Sequence, residues 1–401
     1  MDTNKALPLA GIRILEMGSL IAGPFAAKIL GEFGAEVIKI EPPVTGDPLR
    51  KWRKMHQGTS LWWQVQSRNK KSVAVDLKSE KGRELVRKLA CSCDIVIENF
   101  RPGTLEGWDL GWETLSALNP RLIMLRISGY GQTGPYRDLP GFGVIGEAMG
   151  GLRYVTGYPD RPPVRVGVSL GDSLSSLHGV MGAMFALYHR DVHGGKGQYI
   201  DVALYESVFN VMESLIPEQD FMGHTRERTG SSLPGIAPTN AYRCNDGNHV
   251  LVAGNGDGIF RRLMKSIERD DLANDPRFEH NDGRVAGVQE IDSAIEAWTS
   301  VRSQEEVLAV LSKAGVPAGK IYSAADIMSD PHYEAREMIH DIETKDGTRM
   351  KVPGVVPKLS GTPGRIREAA PALGEHTFAV LRDLGLTAGE LDDLREQHVI
   401  A

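Results

Sequence analysis

The sequence predicts an α/β protein whose larger part is built on a parallel β-sheet, followed by a smaller α/β unit. Three observations carry this. Residues 11–43 read as strand, glycine-containing turn, helix and strand, the succession of a parallel βαβ unit. A strand followed by a Gly-rich turn recurs at 121–135. A chain of 401 residues is also too long for one simple core, which makes two domains the expectation.

Taken in order, GIRILEM (11–17) is a short strand, GSLIAGP (18–24) a turn, and a helix then runs through Phe33 to the strand AEVIKIEPP (35–43). The turn offers backbone N–H groups at a helix start, where a phosphate can bind. It lacks G-x-G-x-x-G, and no G-x-x-x-x-G-K-[ST] occurs, so neither a dinucleotide nor a Walker-type site is indicated. In TSLWWQVQSRNKKSVAVDLKSEKG (59–82), Trp62 and Trp63 are followed by Arg68, Lys70 and Lys71 and by a strand ending at Lys78. Basic groups around a strand end would meet an anionic ligand, or simply face solvent, as charge runs usually do. A helix over 81–89 and a buried strand in CDIVIENFRPG (93–103) follow. Ligands of open α/β sheets collect outside the carboxyl ends of strands. The ends at Met17, Glu41, Lys78 and Asn99 therefore predict one crevice.

The stretch PPVRVGVSLGDSLSSLHGVMGAMFALYHR (162–190) begins as an extended, β-branched run and continues as a helix. Leu174, Leu177, Val180, Met181, Met184, Leu187 and Tyr188 recur at helical spacing and predict its buried face. Asp172 falls at the N-terminus of that helix, where the dipole and free N–H groups stabilise a carboxylate. Taken alone it reads as an N-cap. A glycine turn, strand and helix over 194–213 close this half, and the polar, Gly-rich 223–242 reads as a linker or functional loop. The smaller unit carries a strand (249–254), a helix (260–267), further helices through Ala314, and a return over 316–330. The Pro- and Gly-rich remainder leads to a final helix near 374–384 that packs back on the first domain. The predicted boundaries are 1–222, 223–330 and 331–401.

Composition excludes some functions. The net charge of −6 gives no general attraction to nucleic acid or to an anionic membrane. Cys91, Cys93 and Cys244 form no disulfide framework and no zinc spacing, so no metal is expected; Cys91 and Cys93 read as small buried residues. The first 18 residues carry no signal-peptide pattern, and no apolar run is long enough to span a membrane. A cytoplasmic protein is expected.

Seven ordered fragments, LAGIRILEMGSLIAGP, FGAEVIKIEPP, RNKKSVAVDLKSEKG, ENFRPG, LNPRLIMLRISGYGQTGP, VRVGVSLGD and GKGQYIDVALYES, resemble the family III CoA-transferases (the CaiB–BaiF group). The resemblance implies a Rossmann-like large domain, a small α/β domain and an interlocked homodimer. It implies a CoA-transferase with no tightly bound cofactor, acting on acyl-CoA and a carboxylic acid, with Asp172 as the nucleophile. Covalent catalysis of this kind divides one difficult exchange into easier steps. The CoA contacts carried over are Ile21, Ala22, Pro42, Leu77, Lys78, Asn99, Phe100 and Arg101; Lys78 and Arg101 would pair with phosphates or be ordinary surface charges. Many members are basic at position 42, and Pro42 brings no charge. Ile21 stands where the formyl-CoA branch has glutamine. The family's mobile glycine loop matches 230–235.

The related α-methylacyl-CoA racemases add a His–Asp pair where this chain has Phe142 and Gly143, and Phe142 cannot move a proton. Gly143 also lacks the acid that many transferases carry beside the nucleophile; Glu147, one turn later, either replaces it or lies on the surface. Succinyl-CoA as donor and a dicarboxylate as acceptor follow from likeness to dicarboxylate-type members, with Arg153 or Arg165 for a distal carboxylate or in ordinary ion pairs. A racemase or epimerase and a non-catalytic CoA-binding protein are the alternatives, and a nicotinamide dehydrogenase comes last.

Overall fold

The computed structural model describes residues 7–401. Six strands form a parallel sheet: β1 (Arg13–Glu16), β2 (Glu36–Glu41), β3 (Lys70–Ala74), β4 (Ile95–Glu98), β5 (Ile123–Ser128) and β6 (Tyr199–Ala203). Their order is 3-2-1-4-5-6, with every neighbouring pair parallel. This is the doubly wound Rossmann order, and the winding reverses between β1 and β4.

Both sheet faces are covered, so apolar residues of the strands serve two cores, although each strand also carries a charged residue. Successive side chains point to opposite faces. Ile14, Val37, Ile95, Ile123 and Leu125 enter one core, shared with α1 (Ala22–Glu32). Leu15, Ile38, Val96 and Met124 enter the other, shared with α2 (Glu80–Cys91). Three further helices matter to the site: α3 (Gly143–Met149), α4 (Leu170–Val192) and α5 (Leu204–Phe209). Residues 162–168, expected to be extended, join no strand.

The chain divides into two compact units. The first runs to Leu152 and resumes over Val166–Ser214 and Glu334–Ala401; the second comprises Arg153–Arg165 and Leu215–Tyr333. In the second, β7 (Thr239–Arg243), β8 (His249–Ala253) and β9 (Ala318–Lys320) make an antiparallel sheet in the order 9-8-7. Helices Asp257–Ser266, Val288–Thr299 and Gln304–Lys313 close a core around Val250, Phe260, Leu263 and Ile295.

The returning segment contains more structure than its Pro and Gly content suggests. A hairpin of β10 (Ile339–Glu343) and β11 (Arg349–Pro353) precedes helices Thr377–Asp383 and Ala388–Glu396. The last helix has a Thr387/Glu390 capping box. This segment covers the β3 edge: the Ala74 N–H donates to Thr377 Oγ1 (3.0 Å), Asp76 N–H to the Val399 carbonyl (2.8 Å), and His376 N–H to the Ser72 carbonyl (2.9 Å).

Two further expectations are corrected. β3 begins at Lys70 and ends at Ala74, so Arg68, Lys70 and Lys71 sit at its amino end, away from the carboxyl-end crevice. Each is matched to a carboxylate: buried Arg68 to Glu32 (Nε–Oε1 2.6 Å), buried Lys70 to Glu16 (2.7 Å), half-buried Lys71 to Glu36 (2.6 Å). And Cys91 is exposed at the end of α2, while Cys93 and Cys244 are buried. Among the described residues, no helix is long and apolar enough to cross a membrane, and no cluster of three or more potential metal ligands occurs.

Candidate active site

Asp172 is the third residue of α4, not its cap. The cap position is Ser169, whose side chain makes no capping bond. Asp172 therefore lies inside the first turn, half-buried, among the N–H groups that a helix leaves without internal partners. Ser176 Oγ stands 2.7 Å from the Asp172 carbonyl oxygen, and Ser175 Oγ donates to the Gly171 carbonyl at 2.9 Å. The carboxylate leans against Gly143 on α3: a Cβ there would sit 2.1 Å from Asp172 Oδ2. Glu147, one turn further along α3, is buried, and Gly171 N lies 3.4 Å from its Oε1. It is not a surface residue.

Small residues press α4 against the sheet. A Cβ on Gly179 would meet Leu125 at 2.9 Å, and one on Gly182 would meet Ile200 at 2.8 Å. The buried side of the helix is accordingly Ser175, Ser176, Gly179, Ala183, Ala186 and Leu187. This overturns the expected buried face. Of the predicted set only Leu187 is buried, whereas Leu177, Met181, Met184 and Tyr188 are exposed.

A cleft of about 630 Å³ opens at the carboxyl ends of β1 to β4, the location that the winding reversal predicts. Pro42, Leu77, Lys78 and Phe100 line it together with Gly18, Ser19, Val44, Asp47, Trp108 and His398. Phe100 and Trp108 meet edge to face, centroids 5.5 Å apart, and Lys78 is exposed at the rim. The other expected contacts do not line it. Ile21 and Ala22 are buried where α1 begins. The Asn99 side chain turns to Ser19, accepting from its N–H (2.8 Å) and donating to its carbonyl (2.9 Å). Exposed Arg101 donates to the Asp138 carbonyl at 2.5 Å.

Bordering the cleft at Asp47 lies a set of buried charges whose pairing the sequence did not show. Lys39 Nζ contacts Glu16 Oε1 (2.8 Å), Asp47 Oδ2 (2.8 Å) and the Gly18 carbonyl (2.9 Å). Lys70 Nζ contacts Glu16 Oε2 (2.7 Å) and the Pro24 carbonyl (2.7 Å). The two lysines respond oppositely. Burial depresses both, but at Lys39 the surrounding carboxylates Asp47, Glu16 and Glu41 outweigh it and hold the ammonium above its usual range. With Glu16 as its main counter-charge, Lys70 is pushed down to about 8. The available signal was a charge inside an apolar strand: the parallel register sets Glu16 beside Lys39, and an unpaired charge there would be prohibitive.

Arg153, Arg165 and the 230–235 loop belong to the second unit. Within it, Gly230 (φ +69°) donates its N–H to the Gly157 carbonyl at 2.9 Å, and Ser231 Oγ donates to Asn240 Oδ1 at 2.5 Å.

The profile of CoA-transferase family III matches residues 9–377. Succinyl-CoA–D-citramalate CoA-transferase of Chloroflexus aurantiacus is 49% identical over 98% of both chains. The beta subunit of succinyl-CoA–L-malate CoA-transferase from the same organism is 43% identical over 99% of both, and succinate–glutarate CoA-transferase of Agrobacterium fabrum is 36% identical over 95% of this chain and 96% of its own. The crystal structure of a CaiB/BaiF family protein from Brucella suis superposes with a TM-score of 0.83 at 35% identity, covering 94% of this chain and all of that one. The winding order, the cleft at its reversal and these full-length likenesses converge: the chain belongs to CoA-transferase family III.

Proposed function

We propose that this enzyme moves CoA from succinyl-CoA to a dicarboxylic acid through an aspartyl-CoA thioester on Asp172. The observation that carries the reading is the 49% identity over 98% of the chain with a relative named as a succinyl-CoA–D-citramalate CoA-transferase. An Asp172 Oδ attacks the acyl carbonyl of the donor, and the C–S bond breaks to give a mixed anhydride and CoA thiolate. The thiolate then attacks the aspartyl carbonyl of the anhydride, releasing succinate and leaving the aspartyl-CoA thioester. The acceptor carboxylate attacks that thioester, thiolate leaves again, and its attack on the acceptor side of the new anhydride restores Asp172. No oxidant and no hydrolytic water is needed.

Several features support this. The first turn of α4 favours an anionic side chain. The missing side chain at Gly143 leaves the carboxylate room. In this reading the cleft takes CoA, with Lys78 at the rim for phosphate and the Phe100–Trp108 pair for the apolar parts. Ile21, Ala22, Asn99 and Arg101 act from just outside the lining. CoA enters as substrate and no bound cofactor is required. Buried, unpaired Cys93 and Cys244 fit a reducing cytoplasm. The exposed apolar side of α4, with Phe185 71% and Tyr188 60% exposed, is the surface we assign to a second copy of the chain.

The test is mass spectrometry after incubation with succinyl-CoA and quenching with hydroxylamine or borohydride. Modified Asp172 is expected in the wild type and not in Asp172→Ala. A wild-type protein that exchanges CoA between acids yet never carries the label at Asp172 would overturn the covalent route.

A further inference from the structure

The 18–24 turn runs from the end of β1 into the first residues of α1, and buried side chains hold its backbone at Gly18, Leu20, Ile21 and Pro24. The Gly18 carbonyl accepts from Lys39, the Leu20 N–H donates to Asp47 (3.1 Å), the Ile21 carbonyl accepts from Gln66 (3.0 Å), and the Pro24 carbonyl accepts from Lys70. Leu20 has φ +64°, a conformation an L side chain keeps only where its surroundings fix it. On one side the turn meets the cleft, which Gly18, Ser19 and Asp47 line. On the other it meets the nucleophile helix: Ser176 Oγ stands 2.7 Å from the Ala22 carbonyl oxygen and 2.7 Å from that of Asp172. A hydroxyl has one proton, so it donates to one of these oxygens at a time.

Fold stability is a poor reason for such a ring. Replacing a buried ion pair by apolar residues of like volume is often neutral or stabilising. What the ring does supply is a fixed backbone between the cleft and the helix.

We infer that Glu16, Lys39, Asp47 and Lys70 are positioning residues for the transfer reaction: they hold the 18–24 turn in the shape that receives the thioester, and Ser176 passes that shape to the first turn of α4. This rests on the proposed reading of the cleft and of Asp172. A ligand that displaces Ser19 or Asp47 alters the turn at Ala22, and the Ser176 proton then shifts its preference between the two carbonyls, reorienting the turn that carries Asp172.

Asp47→Asn keeps the side-chain shape and removes its charge; Ser176→Ala removes one hydroxyl that does not line the cleft. For each, we would measure KM for succinyl-CoA and the single-turnover rate of adduct formation, with far-ultraviolet circular dichroism as the check on folding. Asp47→Asn is expected to raise KM roughly tenfold, as loss of a hydrogen bond to a charged group would. Ser176→Ala is expected to leave KM unchanged while adduct formation slows by a similar factor. A merely structural ring would lower the melting temperature and leave KM and adduct rate of the folded variants at wild-type values, which would overturn the inference. If Asp47→Asn does not fold, Ser176→Ala decides alone. Absence of an Asp172 adduct in the wild type itself marks failure of the underlying reading, is seen before any variant is made, and removes this inference with it.

Discussion

The Cβ that Gly143 lacks would lie 2.1 Å from Asp172 Oδ2, so any side chain there must displace the carboxylate or move α3. Gly143→Ala is therefore expected to lower kcat on the order of 10²-fold, the scale on which a misplacement of about 1 Å acts, with circular dichroism unchanged. Steady-state kinetics with succinyl-CoA checks this; wild-type kcat would mean that the carboxylate relocates freely. The position of Asp172 near a helix start was legible in the sequence, because an extended run gives way there to a helical one. Its place as third helical residue was not, since Ser and Asp are both good caps and only the backbone decides between them. The burial of Glu147 was equally hidden. It depends on Gly171 allowing its side chain to approach, and these residues lie 24 apart in sequence.

At the scale of elements, the six strands of the parallel sheet were read within a few residues because apolar runs bounded by turns identify them, whereas β7 fell in a stretch read as a loop and the β10–β11 hairpin was not read. The charges inside them were not explained, since pairing depends on register. Glu98 at the end of β4 shows what register brings: it faces Arg126 on β5 (2.8 Å), and the Phe100 N–H donates to it at 2.8 Å. Burial, only partly offset by Arg126, pushes the Glu98 carboxyl up to about 7 from 4.5. The folded protein thus binds more protons at this site than the unfolded chain between about 4.5 and 7. Its contribution is present below that window and is lost as pH rises through it, by up to about 3 kcal/mol. Denaturant titrations at pH 5 and pH 8 should show the wild type losing most of this, about 2.5 kcal/mol, relative to Glu98→Gln, which has no proton to give up; parallel profiles would refute it. The α4 helix taught the opposite lesson. Its presence was legible, but periodicity could not tell which stripe faces the sheet, since Ser176, Gly179 and Ala183 let the backbone come close in place of the larger residues.

For the whole molecule, the large apolar side chains on α4 are the feature to test. If a second copy covers them, placing two carboxylates there with Met181→Glu and Phe185→Glu should raise the dimer dissociation constant at least tenfold, the scale of a central interface contact. Sedimentation velocity across protein concentrations reads this directly, and an unchanged wild-type dimer would place the interface elsewhere. The doubly wound order was implied only by the family resemblance, because the long excursion between β5 and β6 hides the succession of strands. The cover on the β3 edge has a further consequence during synthesis. Ser72 Oγ accepts the N–H of Gly374, a partner 302 residues later in the chain. At ribosomal speeds of about 5–20 residues per second, that edge emerges on the order of tens of seconds before its cover does. Meanwhile it is an open template for any extended chain nearby. A nascent chain stalled short of residue 370 should therefore be held by chaperones or lost to aggregation, however well β1 to β6 have already assembled.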